Sequence, residues 1–316
     1  MREGLDRLTR KTFLSGLIGA PIAHSASPAM HEQAAHNLGL RCHYQLIEVA
    51  GADREELHAL LDGVRRLGFA GVNIIFPYKE AVVDLLDELS PDAAKIGAVN
   101  TIVVRDNRLI GYNTDTTGFG RAAANMVADS KRGSVALIGA GGVGKAIAFA
   151  LVNLGIVELR IFDADRAKAD HLAFLLSPHA RVTVVESVED AVQGVIGLVN
   201  GTPVGMLPGR DIPLPEALLH RGLWVADAVY FPLWTPLLIA AKAKGARVMT
   251  GRELAICQAA DAFELFTGFA PSAAEMVKAF DRVISEGARN DDVDGAMTLR
   301  FKAILRGWQL PAQSGR

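Results

Sequence analysis

The 316-residue chain has two cysteines, Cys42 and Cys257, far apart and without metal-ligand spacing. A disulfide scaffold is excluded, and a reduced, cytosolic compartment is expected. There is no surplus of charge of one sign: 33 Lys and Arg stand against 35 Asp and Glu, a formal net charge of −2. Proteins that bind nucleic acid or membrane surfaces usually carry a basic excess, so neither partner is expected. No apolar run approaches the ~20 residues of a membrane-spanning helix. The His-Glu-x-x-His signature is missing, and His24, His31 and His36 do not share one helical face, so no metal is expected. Internal repeats and low-complexity tracts are absent. With 50% hydrophobic and 22% charged residues, disorder and a collagen-like fibre are also excluded.

What is there is core-forming material for about two domains, at ~150 residues each. Arg10 and Lys11 before an apolar stretch resemble a signal peptide superficially. Glu3 and Asp6 spoil its basic start, and Gly16, Gly19 and Pro21 interrupt it, so residues 13–18 read as a first buried strand. Strand-like and helix-like runs then alternate: strands at 44–49 and 71–76, helices at 28–38, 54–66 and 78–89. Residues 98–104 and 108–112 read as a hairpin around Asp106-Asn107. After a polar joint at 129–133, strands at 134–138, 158–162, 182–185, 198–200 and 223–227 continue the series. Such alternation predicts parallel sheets covered by helices, an α/β fold. Beyond about residue 286 the chain turns polar. Met297, Phe301, Ile304 and Trp308 then recur at near-helical spacing, as a tail helix packing on its own chain would.

Gly139-Ala140-Gly141-Gly142-Val143-Gly144 satisfies G-x-G-x-x-G, between an apolar strand and a helix. The first glycine permits a tight turn, the second lets backbone approach a pyrophosphate, and the third lets helix and strand pack closely. The helix N-terminus adds an anion-binding dipole. Asp163 ends the next strand, about 20 residues on, where a carboxylate hydrogen-bonds the adenosine ribose. It accepts from the free 2′-hydroxyl of NAD and repels the 2′-phosphate of NADP. Arg166 could soften that repulsion and is counted among the cofactor contacts. Asp163 also reads as a helix cap.

Lys79 lies in the first turn of the helix expected over 78–89, where the dipole disfavours a cation and favours proton release. Alone, it reads equally as an exposed lysine beside Glu80, and Asp115 reads as a helix cap. Set among their neighbours, these residues resemble the shikimate dehydrogenase family. The likeness runs from Gly19-Ala20-Pro21-Ile22-Ala23-His24-Ser25-Ala26-Ser27-Pro28 through residues 73–79, Gly97-Ala98-Val99-Asn100-Thr101, Asn113-Thr114-Asp115 and the glycine loop. It continues through Asn200-Gly201-Thr202-Pro203, Tyr230, Thr235-Pro236-Leu237-Leu238 and Gln258, covering roughly residues 13–285. Asp163 draws it toward the NAD-using quinate/shikimate dehydrogenases.

The resemblance implies a substrate-binding domain of residues 1–115, rejoined by helices at 251–285. It implies a Rossmann-type, doubly wound nucleotide domain at 116–250, and leaves 286–316 as a tail. It implies hydride transfer between a nicotinamide cofactor, NAD with NADP as the alternative, and a ring hydroxyl of a cyclic polyhydroxy carboxylate. Lys79 and Asp115 become the catalytic pair, Ser25, Ser27 and Tyr230 the carboxylate site, and Asn100 and Gln258 the readers of ring hydroxyls. Val143, Thr202, Val229 and Gly251 join the glycines 139, 141, 142 and 144 as cofactor contacts. A small-molecule substrate is the expected partner, and a homodimer is allowed without being fixed. Ile75 is the clearest departure, occupying the place of a threonine that binds a ring hydroxyl. The competing readings are an NADP-linked biosynthetic shikimate 5-dehydrogenase and a non-catalytic nucleotide-binding regulator; the latter would need neither Lys79 nor Asp115.

Overall fold

The computed structural model describes residues 12–128 and 133–290. Residues 129–132 of the joint expected at 129–133, and the tail helix expected over residues 297–308, lie outside them, while residues 287–290, expected to turn, continue the last helix. The first half runs β1 (Thr12–Gly19), α1 (Ser27–Asn37), β2 (Arg41–Glu48), α2 (Arg54–Arg66), β3 (Gly71–Ile74), β4 (Glu88–Leu89), α3 (Pro91–Ile96), β5 (Thr101–Arg105) and β6 (Arg108–Tyr112). Its strands form one sheet in the order β2-β1-β3-β5-β6-β4, mixed in direction because β5 runs antiparallel to β3 and β6. Asp106 and Asn107, both at positive φ (50° and 60°), turn that hairpin, the left-handed pair a two-residue loop demands. Asp53 and Glu56 close a capping box on α2, fixing its start.

The chain leaves through α4 (Thr114–Ala128). A second series follows: β7 (Ser134–Ile138), α5 (Gly142–Asn153), β8 (Glu158–Phe162), α6 (Arg166–Leu176), β9 (Arg181–Val184), α7 (Val188–Val192), β10 (Gly197–Asn200), β11 (Trp224–Asp227), α8 (Pro236–Ala243) and β12 (Arg247–Met249). All six strands are parallel, in the order β12-β11-β10-β7-β8-β9, the doubly wound arrangement. Cores on both faces bury them, so β10 and β11 are fully buried runs rather than alternating ones. The chain then returns through α9 (Gly251–Thr267) and α10 (Ala273–Asn290). Ala255, Ala259, Phe263, Met276 and Phe280 from these helices pack with Met30, Ala34 and Ala35 of α1, covering the first half.

The outgoing α4 and the returning α9 cross at close range. A Cβ on Gly118 would lie 2.8 Å from the backbone nitrogen of Gln258, a distance no side chain permits. This glycine is what lets two helices distant in the sequence touch backbone to backbone.

The helix expected over 78–89 does not form. Turns and a single short 3-10 segment (Val83–Leu85) take its place before β4. The carbonyl of Lys79, which a helix would direct at Val83, instead accepts from Val99 N at 2.8 Å, and Val83 N turns to Glu80 O. The loop is thereby stitched to the strand-entry segment at 99–100. α3 and β12 are elements the hydrophobic pattern does not announce, being short and half polar.

Candidate active site

The C-terminal ends of β1, β3 and β6 point the same way, and each delivers a polar loop. Tyr78 anchors the loop after β3. Its ring is buried, and its hydroxyl donates to Val49 O (2.9 Å) and accepts from Ala52 N (2.8 Å). With Tyr78 held inward, the neighbouring Lys79 extends to the other side. Its Nζ lies 2.5 Å from Asp115 Oδ2, with both side chains largely buried. No helix begins at Lys79, so the dipole expected to act on it is absent, and the carboxylate of Asp115 is what it meets. Asp115 is not the cap of α4. Asn113 fills that role, its Oδ1 accepting from Thr116 N while its Nδ2 donates to Ala98 O. The Asp115 carboxylate, in the first turn, has the favourable end of the helix dipole behind it.

A buried chain of amides and hydroxyls runs beside this pair. Tyr44 Oη donates to Asn73 Oδ1 (2.8 Å), and Asn73 Nδ2 donates to Thr101 Oγ1 (2.9 Å). Thr101 Oγ1 donates to Asn100 Oδ1 (3.0 Å), which also accepts from Thr114 N (2.7 Å). Asn100 Nδ2 then reaches Thr114 Oγ1 (3.0 Å) and Gln258 Oε1 (3.5 Å). Sequence positions 44, 73, 100, 114 and 258 are thus joined in one network. Ser27 faces the Tyr44 hydroxyl and Ser25 faces Tyr230. Burial raises both phenols above the usual tyrosine value, Tyr44 by a large margin, so each stays a neutral hydroxyl. Ile75 is half-buried beside Leu17, Ile22 and Tyr44, with its Cγ2 where a Cβ on Gly19 would sit. Tyr44, Asn73, Thr101 and Thr114 escape the sequence reading as site residues. Asn73 carries the one usable signal, an amide inside an otherwise apolar strand.

Opposite stands the strand-order reversal of the second sheet, between β7 and β10. Gly139 (φ +100°) leaves β7, and a Cβ on Gly144 would be 2.1 Å from its carbonyl oxygen. α5 opens at Gly141 without a side-chain cap, so its first amides face outward unclaimed by any cap. Asp163 is buried, its two oxygens accepting from Ala140 N (2.6 Å) and Asp165 N (2.8 Å). The helix cap here is Asp165, bonded to Ala167 N. Arg166 is bound by Asp170 (2.9 Å) and by Glu186. Val143 is half-buried in the first turn of α5.

At the end of β11, Asp227 gathers three segments. Its Oδ1 accepts from Asn200 Nδ2 (2.9 Å) and Val229 N (3.0 Å), and its Oδ2 accepts from Thr235 Oγ1 (2.7 Å). Asn200 Oδ1 in turn holds Thr202, by its amide at 3.1 Å and its hydroxyl at 2.7 Å. A Cβ on Gly251 would meet Val229 O at 2.5 Å, so the start of α9 lies directly on this loop. Among the described residues no three His, Cys, Asp or Glu side chains gather to hold a metal, and no helix is long and apolar enough to cross a membrane.

A family model described as the shikimate dehydrogenase substrate binding domain matches residues 17–102. The chain is 42% identical over 277 residues to the shikimate dehydrogenase (NADP(+)) of Streptomyces avermitilis, covering 85% of this chain and 95% of that one. It is 41% identical over 277 residues to the quinate/shikimate dehydrogenase (NAD(+)) of Corynebacterium glutamicum strain R, covering 85% and 98%. In three dimensions it is similar to the quinate dehydrogenase from Corynebacterium glutamicum solved in complex with NAD. The TM-score is 0.79 at 39% identity, over 86% of this chain and 100% of that one.

Burial raises the Asp227 carboxyl to about 6 against the help of its three donors. A carboxyl raised in the folded state contributes stability that is complete below its unfolded value near 4 and is lost as pH rises through 6. At ~1.4 kcal/mol per pH unit, wild type should lose up to ~3 kcal/mol relative to Asp227→Asn between pH 4 and 7.5. Urea unfolding of both proteins across that range measures the difference; a gap that does not change with pH would refute it.

Proposed function

The chain belongs to the shikimate dehydrogenase family, and we propose that it is an NAD-linked member oxidising a ring hydroxyl of a cyclic polyhydroxy carboxylate such as quinate or shikimate. The observation that carries this is the Lys79–Asp115 pair, 2.5 Å apart, facing the glycine loop. Residues 1–115 and 251–285 are read as the substrate-binding part, and 116–250 as the nucleotide-binding part. The crowding at Gly139 and Gly144 and the uncapped start of α5 fit a dinucleotide pyrophosphate. Asp163 would take the ribose hydroxyls, and Thr202, Val229 and Gly251 would line the nicotinamide end. The bound nicotinamide supplies the hydride acceptor.

This chain's own residues do the rest. Ser25, Ser27 and Tyr230 would donate to the substrate carboxylate, and Asn100 and Gln258 would hold ring hydroxyls with amides that both donate and accept. Lys79 Nζ would take the proton of the reacting hydroxyl, and Asp115 would hold that ammonium in line. A nucleotide-binding regulator would have no use for this buried ion pair. NAD is favoured over NADP because Arg166 is committed to Asp170 and Glu186, while Ala164 between Asp163 and Asp165 brings no cation. A 2′-phosphate would meet two carboxylates, and the cations on this turn are already paired, Arg166 with Asp170 and Glu186 and Lys168 with Asp165 at 3.8 Å.

Three outcomes are expected. Lys79→Ala should lower kcat for NADH formation from quinate or shikimate by ~10²–10⁴-fold, with a smaller change in KM. Retention of most of the wild-type kcat would remove Lys79 from the chemistry. Wild type should prefer NAD, and Asp163→Ser should narrow the gap by raising NADP efficiency; equal kcat/KM values for the two cofactors in wild type would overturn the cofactor reading. Ile75→Thr restores a hydroxyl partner and should raise kcat/KM for shikimate or quinate by about tenfold or more. If neither rises, Ile75 belongs to the apolar cluster with Leu17 and Ile22 and does not set substrate choice.

A further inference from the structure

We infer that Lys145 and Glu80 form an ion pair across the cleft that sets the height of Lys79 over the glycine loop, which makes both of them positioning residues for the proposed oxidoreduction. Lys145 Nζ lies 2.8 Å from Glu80 Oε2. The two groups come from opposite sides of the cleft: Glu80 directly follows Lys79, and Lys145 stands in the first turn of α5, directly after the glycine motif.

The lysine is badly placed without its partner. Its side chain is only 6% exposed, and it sits at the positive end of a helix. Burial and the dipole both work against an ammonium there. Among the described residues, Glu80 is the carboxylate it pairs with, and Glu80 is 45% exposed on the other side. Lys145 therefore gains most when the two halves are close.

A second contact lies beside the first. A Cβ on Gly142 would come within 3.1 Å of Lys79 Cβ and 3.4 Å of its Cδ. The first residue of α5 thus rests on the stem of Lys79, and the absence of a side chain is what allows it. At the other lip of the cleft the His24 ring stacks on Phe231, centroids 5.4 Å apart and planes 11° apart. Lys79 is held on its own side by Asp115 and by Val99 N on its carbonyl. The Glu80–Lys145 pair adds the remaining coordinate, the separation between its ammonium and the helix that receives the cofactor.

The test is a double-mutant cycle on the full chain. Glu80→Gln and Lys145→Gln should each lower kcat by about tenfold, as expected when a reacting group is misplaced by a fraction of an ångström, with substrate KM changed less than about twofold. The double variant should be no worse than the poorer single, since one interaction is removed once. Lys145→Arg, which keeps the charge, should restore most of kcat. Small-angle scattering supplies a readout independent of catalysis: both single variants should show a larger radius of gyration than wild type and Lys145→Arg. Additive kinetic losses, or radii unchanged in both singles, would overturn the inference while leaving the proposed function intact. If instead wild type forms no NADH with any cyclic polyol, the functional reading fails, and scattering alone decides whether the pair closes the cleft.

Discussion

A largely buried ammonium and carboxylate 2.5 Å apart form the constraint around which the rest of this structure is arranged. Two charges withdrawn from water are tolerable only with close geometry and further hydrogen bonds, since the desolvation cost of each is several kcal/mol. The fold meets that condition with rigid supports on both sides. Tyr78, tethered to Val49 and Ala52, fixes the loop that carries Lys79. Asn113 caps α4 and so fixes the first turn that carries Asp115.

The polar chain from Tyr44 to Gln258 depends on the same arrangement. Every member is a neutral donor and acceptor, and each spends most of its capacity on its neighbours. Gln258 enters only because Gly118 admits α9 to the backbone of α4. On the second sheet, Asp227 does for its neighbouring loops what the ion pair does for those of the first. One buried carboxylate ties the loops after β10 and β11 and the cap of α8 together. Two acidic centres, one paired with a lysine and one surrounded by donors, thus organise the loops at the strand ends of the two sheets.

Much of this is legible in the amino-acid order wherever the physics is local. The two-residue turn at Asp106-Asn107 and the strand-glycine-helix unit at 134–153 carry their signals within a few residues. The helix at 54–66 begins at a capping box and ends where the apolar stripe ends. The segment after Pro77 misleads because its composition suits a helix, while the competing bond from Val99 to the Lys79 carbonyl comes from twenty positions away. Asp115 reads as a cap from the sequence, whereas in the fold Asn113 caps the helix and Asp115 meets Lys79. The resemblance assembles Ser25, Ser27, Asn100, Tyr230 and Gln258 into one site, which spacing alone could not do. Tyr44, Thr101 and Thr114 stay hidden because nothing local distinguishes them from ordinary strand and loop residues. Glu80 and Lys145 look like solvated charges until the two halves are brought together.

The return of α9 and α10 to the first sheet has a consequence for how the molecule is made. A ribosome releases the chain in order, and domains tend to fold as they emerge. The second sheet and its helices are encoded without interruption between residues 114 and 249, so that unit can close on itself as soon as it has left the exit tunnel. The first sheet, although synthesised earlier, keeps one apolar face and the Met30, Ala34 and Ala35 side of α1 uncovered until residues 251–290 arrive. The half that is translated first is therefore the half that matures last, and a chain that has released residues up to about 250 but not α9 and α10 presents a sticky sheet face beside a finished neighbour.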